Sequence, residues 1–237
     1  DVDTGAILAL TSGPTFDNNI FIRATDKAGA WGVSARQALL TNPEQPLFNR
    51  AVQGLYPCGS VFKIVTMAAG LEAGGLTAER VFHCPGYWDG LGEMNRRNCW
   101  LETGHGDINL KDGLSASCNV VFYEVGALLD DIGRDILPTY GRAFGLGDFT
   151  GLRELQEVAG LMPDPNWKNL TYREAWGMGD TINLSIGQGF LLVTPLQVAR
   201  MVAAVANGGT LYRPYLVARI EARQGRTEEV TRPAAQG

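Results

Sequence analysis

No apolar stretch in this 237-residue chain approaches the roughly 20 residues that a membrane-spanning helix needs. No long run of one charge sign occurs either: 20 Lys and Arg face 25 Asp and Glu, for a formal charge of -5. That balance argues against a nucleic-acid partner, which wants a basic face. No signal-peptide pattern opens this sequence, and it shows no internal repeat, low-complexity tract or linker. Histidine is scarce, with only His83 and His105, so there is little material for a Ser-His-Asp triad. Gly145-Leu146-Gly147 is followed by no Lys-Ser/Thr pair, which excludes a phosphate loop.

What is present describes a globular chain. Apolar residues make up 45% and charged residues 19%. The length suits one domain, 1–237, of the α/β or α+β kind. Thr4 to Ser12 reads as a strand, with Gly5 before the run Ala6-Ile7-Leu8-Ala9-Leu10 and Ser12-Gly13-Pro14 after it. Val61 to Leu71 reads as a buried helix that Ser60 can cap and Gly74-Gly75 ends. Residues 81–113 read as loops. A helix follows Ser117 and runs to Leu129, and turns fill 145–185. Thr194, Pro195 and Gln197 spell a capping box for a last helix that runs to Ala206. Leu216 to Ala222 is a strand candidate, with a polar tail from Gln224.

Ser60-Val61-Phe62-Lys63 is an S-x-x-K at the start of the apolar helix. Residues three apart share a helix face, which brings the Lys63 amine within reach of the Ser60 hydroxyl. A serine is a poor nucleophile until a base takes its proton. A lysine buried in an apolar helix has a lowered pKa and can be that base. The helix N-terminus favours an oxyanion at the same place. The plainer alternative is a capping serine and a surface lysine.

The neighbouring residues give the motif a family. Asn49-Arg50-Ala51 leading to Tyr56-Pro57-Cys58-Gly59-Ser60-Val61-Phe62-Lys63 resembles the N-R-A … Y-P-P-G-S-x-x-K stretch of class B penicillin-binding proteins. Ser117-Cys118-Asn119 resembles their S-x-N motif. Gly187-Gln188-Gly189, Thr194-Pro195-Leu196-Gln197 and Ala206-Asn207-Gly208-Gly209 resemble the run that closes the series. Cys99-Trp100, Gly104-His105-Gly106 and Ser117-Cys118 look most like the penicillin-binding protein 2 group, which builds lateral wall during elongation.

The resemblance implies a sheet flanked by helices, as in the serine β-lactamase and penicillin-binding superfamily. It implies peptidoglycan D,D-transpeptidation through a Ser60 acyl-enzyme that β-lactams trap. Lys63 is then the general base, Ser117 relays a proton to the leaving amine, and Asn119 binds the substrate amide and orients Lys63. The implied partners are D-Ala-D-Ala stem peptides, β-lactams and membrane proteins of the elongation machinery, at the outer face of the bacterial inner membrane. Two departures stand out. Cys58 replaces a proline, and K-T-G is absent. The expectation is therefore a transpeptidase domain incomplete at its C-terminus, with the K-T-G strand and an N-terminal anchor lying outside this chain. A serine β-lactamase and an inactive penicillin-binding or sensor module are the alternatives.

Cys84, Cys99, His105 and Cys118 form a second constellation. Three thiolates and an imidazole make a closed tetrahedral set of the structural-zinc kind. The resemblance places such a zinc beside the active site, where it would pin the loop holding Ser117 and Asn119. A Cys84–Cys99 disulfide and buried free thiols remain as competing readings, and His83 competes with His105. Trp88, Trp100, Trp167 and Trp176 read as packing residues rather than a glycan groove.

Overall fold

The computed structural model describes residues 1–21, 36–221 and 227–237. Its centre is the helix α4, Asn119–Ile132, which buries Val121, Phe122, Val125 and Leu129 completely. Helix α2, Lys63–Glu72, packs on one side of it with Val65 and Ala69. Helix α7, Met178–Ser185, packs on another side. The α4–α7 crossing is tight because α4 offers Gly126 there, where a Cβ would lie 2.7 Å from that of Ser185. Further helices among the described residues include α1 (Arg50–Gln53), α3 (Leu110–Ser115), α5 (Ile136–Ala143), α6 (Pro165–Tyr172) and α8 (Pro195–Ala206).

Among the described residues the β-structure is three two-stranded antiparallel ladders. β1 (Val81–Cys84) pairs with β4 (Gly106–Asn109), β2 (Tyr87–Trp88) with β3 (Arg97–Asn98), and β5 (Arg219–Glu221) with β6 (Thr227–Val230). The region 81–113, which reads as loops, therefore holds four short strands. Their register sets Cys84 opposite Gly106, next to His105.

The strand expected at 4–12 is reduced to a bridge between Ala6 and Tyr215, with Ile7 N–H donating to the Tyr215 carbonyl at 2.9 Å. The strand candidate at 216–222 is confined to β5 within the described residues, and the polar tail contains its partner β6. Two helices occupy 145–185 where the sequence shows turns. The first is announced by Asp164, whose side chain accepts from Trp167 N–H, with Pro165 in its first turn.

The last helix forms as its capping box dictates. Thr194 Oγ1 accepts from Gln197 N–H at 3.2 Å, and Gln197 Oε1 accepts from Thr194 N–H at 2.9 Å. Gln197 is fully buried and also donates to the Asp148 and Ala159 carbonyls at 2.6 and 2.7 Å. The capping residue thus ties α8 to the preceding loop. No helix among the described residues is long and apolar enough to cross a membrane.

Candidate active site and metal cluster

Ser60 lies in a 3-10 turn, Gly59–Phe62, that runs into α2. It is therefore not the helix cap the sequence suggests; Cys58 precedes the turn, and no side chain caps it. Burial pushes the Cys58 thiol up to about 11. The Ser60 side chain is exposed, and neither its hydroxyl nor its N–H has a hydrogen-bond partner among the described residues. The N–H is left over because the first donors of any helical turn have no partner inside it.

The turn is held from outside by Gly187. Gly59 N–H donates to the Gly187 carbonyl at 2.8 Å. Gly187 has φ +70°, and a Cβ there would come within 2.1 Å of the Gly59 oxygen. This contact explains why the glycine-rich stretch at 187–189 accompanies the serine turn. A Gly187→Ala change must displace the turn that carries Ser60. We expect β-lactam acylation to fall about 100-fold, the usual consequence of misplacing a reacting atom by an ångström. Far-ultraviolet circular dichroism should stay near wild type. Wild-type acylation would show that the turn absorbs the methyl group.

Lys63 opens α2 and is completely buried. Its Nζ donates to the Ser117 carbonyl at 2.7 Å, to Ser117 Oγ at 3.1 Å and to Asn119 Oδ1 at 2.7 Å. Three acceptors match the three protons of an ammonium group. No hydrogen bond joins Nζ to Ser60, so the amine engages the S-x-N loop and not the serine three residues back. Burial lowers the Lys63 pKa to about 8, against the opposing pull of Cys118 and Cys99. Ser117 itself sits in the left-handed region, with φ +52°. Its carbonyl accepts a second donor, Trp100 Nε1, at 3.1 Å.

The four expected metal ligands converge. The Sγ atoms of Cys84, Cys99 and Cys118 and an imidazole nitrogen of His105 lie within 4.8 Å of one another. His105 Nδ1 is 3.5 Å from Cys84 Sγ and 3.6 Å from Cys99 Sγ, and Cys99 Sγ is 4.0 Å from Cys118 Sγ. A tetrahedral zinc with ordinary bond lengths places sulfur and nitrogen about 3.6 Å apart and two sulfurs about 3.8 Å apart. The donor set and its spacing therefore fit zinc.

The first turn of α4 points at this cluster. Burial raises the Cys99 pKa, but hydrogen bonds from the N–H groups of Leu101, Asn119 and Val120 outweigh it and lower it overall. Burial pushes Cys118 up to about 12 despite a bond from Val121 N–H. No disulfide joins any two of the four cysteines, Cys84 and Cys99 included. Cys58 lies outside the cluster, and His83 is turned away to bond Asp107 at 2.7 Å on an exposed face.

Gly104 and Gly106 shape the His105 loop. Gly104 has φ +77°, and a Cβ there would meet the Cys84 carbonyl oxygen at 2.2 Å. Among the tryptophans named above, Trp88 and Trp176 are core residues. Trp167 meets Tyr172 edge-on and Phe190 at a tilt. Trp100 is 61% exposed, and its bond to Ser117 is not legible in the sequence.

The chain is similar to known proteins along nearly its whole length. Residues 1–236 match the family model described as "Penicillin binding protein transpeptidase domain". The chain is 36% identical over 219 residues to peptidoglycan D,D-transpeptidase MrdA of Escherichia coli (strain K12), covering 92% of this chain and 33% of that protein. It thus spans about a third of the length of that relative. Its fold matches penicillin-binding protein A of M. tuberculosis, solved as a penicillin G acyl-enzyme complex. That match has a TM-score of 0.83 and 29% identity, over 99% of this chain and 51% of that one. It also matches penicillin-binding protein PBP2 of Helicobacter pylori, solved in complex with MreC, with a TM-score of 0.72 and 32% identity over 81% of this chain and 34% of that one.

Proposed function

Since this chain belongs to the penicillin-binding protein transpeptidase family, we propose that it carries the acylation machinery of a peptidoglycan D,D-transpeptidase of the elongation type. The observation that carries the reading is the buried Lys63 amine, held on Ser117 and Asn119 at the root of an exposed, unpartnered Ser60. Ser60 Oγ attacks the penultimate D-Ala carbonyl of a stem peptide. With a pKa of about 8, roughly a tenth of Lys63 is neutral at pH 7 and able to accept the serine proton. The carbonyl oxygen takes up negative charge beside the unpaired N–H of Ser60. The peptide C–N bond then breaks. Ser117 passes the proton from Lys63 to the departing D-Ala amine, and the acyl group moves to an amine of a neighbouring stem. Asn119 keeps Lys63 pointed at Ser117 throughout.

The same reading gives the Cys84, Cys99, His105 and Cys118 cluster a zinc ion, which would supply a structural cross-link and no chemistry on the substrate. What supports it is the ligand spacing and the N–H groups of α4 directed at Cys99. The ion would join the 84–118 segment to the first turn of α4, and so fix Ser117 and Asn119. The reading also carries the cellular setting of the family: the outer face of the bacterial inner membrane, with an anchor and a K-T-G strand supplied from outside this chain. Membrane proteins of the elongation machinery, of which the MreC bound to a related protein is an example, are the expected partners.

The test is turnover by the full-length protein. With a stem pentapeptide donor and an amine acceptor, we expect D-alanine release and a cross-linked dimer, both lost in Ser60→Ala. Rapid hydrolysis of penicillin without cross-linking would instead identify a β-lactamase. Folded protein with neither activity would identify a binding module.

A further inference from the structure

We infer that Trp100 is a positioning residue for acyl transfer, acting through the Ser117 carbonyl; the inference rests on the reading of Ser60, Lys63 and Ser117 given above. Ser117 holds a left-handed φ of +52° without being a glycine, an arrangement that lasts only where the surroundings over-determine it. Its N–H is tied to the Leu114 carbonyl at 3.0 Å. Its carbonyl has two lone pairs, and both are taken. Lys63 Nζ approaches at 2.7 Å from the buried side, and Trp100 Nε1 at 3.1 Å from the exposed side. The same indole N–H is shared with the Ala116 carbonyl at 3.1 Å, so it bridges the two peptide units that flank the left-handed residue.

Core packing does not explain this side chain, because 61% of it faces solvent. Its ring makes one aromatic contact, edge to face with His105 at 5.4 Å. The residue thus spans from the imidazole of the cysteine cluster to the carbonyl that holds Lys63, and it follows Cys99 directly in the chain. Without the N–H, the Ser117 carbonyl keeps Lys63 as its one remaining donor, and the Ser117 hydroxyl is free to drift from its 3.1 Å separation from Nζ. Ser117 acts in bond breaking and not in the first encounter with ligand. The effect of losing the indole N–H therefore belongs in the chemical step.

The experiment compares full-length wild type with Trp100→Phe, which keeps a ring against His105 and removes the donor. A third form carries 3-benzothienylalanine at position 100, with the indole shape and sulfur in place of N–H. Stopped-flow acylation by benzylpenicillin separates the non-covalent Kd from the acylation rate constant. Both altered forms should lose about tenfold in the rate constant, the size of one net hydrogen bond, with Kd unchanged. Zinc content and thermal midpoint should match wild type. A 5-fluorotryptophan form, which retains the N–H, should keep the wild-type rate. Equal rate constants in wild type and Trp100→Phe would overturn the inference. So would a loss that appears only together with metal loss or a lowered midpoint, because Trp100 would then be a packing residue. A wild type that is not acylated at all would remove the acyl-transfer reading, and this inference with it.

Discussion

Replacing Lys63 with methionine should abolish acylation while leaving the fold intact. General-base catalysis contributes about 100- to 10,000-fold, and Lys63 is the one amine buried at the root of the serine turn, so the loss should approach 1,000-fold or more. Stability should move little, because two effects oppose each other. The folded-state pKa of about 8 lies below the ordinary 10.5. Burying the ammonium therefore costs folding below pH 8, and the cost fades as pH rises toward 10.5, where both states are neutral. Methionine removes that cost but leaves the Ser117 carbonyl and Asn119 Oδ1 short of a donor. We expect the thermal midpoint to stay within about 4 °C of wild type at pH 7. In wild type, the acylation rate should climb with pH through about 8 and level off above it, since the neutral amine is the active form. The methionine variant should lose that limb. Stopped-flow acylation between pH 6 and 10 checks both statements. A pH-independent wild type, or an active methionine variant, would remove Lys63 as the base.

Removing the proposed zinc should affect stability most. The segment 84–118 is anchored elsewhere by Trp88 on Tyr123 and Glu124 and by Leu110 in the core, and its other fully buried side chains are the three cysteines. Without an ion, three sulfurs and an imidazole are crowded within 4.8 Å with nothing between them. Losing a structural metal ranks among the largest single destabilisations, about 4 kcal/mol or more, which lowers the midpoint by about 8–16 °C for a chain of this size. Chelation, or Cys118→Ser, should produce that drop. It should also release Ser117 and Asn119, so acylation should fall in parallel. Native mass spectrometry should show one zinc per chain in the wild type and none after either treatment. A protein purified without zinc, with the same midpoint and full acylation, would refute the assignment.

Much of this site is legible in the sequence, because it is built from short local signals. Ser60 and Lys63 are three apart, Ser117 and Asn119 are two apart, and Thr194 with Gln197 spells a cap that forms as written. The four proposed metal ligands converge although they are spread from 84 to 118, and their residue types mark them out as a donor set. What sequence reasoning misplaces depends on distant contacts. The Lys63 amine turns to the 117–119 loop, 54 residues away, because that loop presents three acceptors. The Gly187 contact with Gly59 joins residues more than 120 apart and leaves no periodic trace. Helix α7 lacks a side-chain cap at Gly177, so its start carries little signal. The strand at 4–12 has the composition of a sheet strand, yet pairing needs a partner, and its described partner is a single bridge at Tyr215. Trp100 reads as one more aromatic residue until its indole is seen on Ser117.

The central claim, that Ser60 is the acyl-accepting nucleophile, has a direct test in intact mass. The full-length protein is incubated with benzylpenicillin and weighed under denaturing conditions, beside Ser60→Ala. One stable penicilloyl increment is expected on wild type, mapped by digestion to the peptide that contains Ser60. No increment is expected on the alanine variant, because removing a nucleophile lowers such rates by factors of about 10,000 or more. A folded wild type that gains no mass, or an alanine variant that still gains it, would contradict the account.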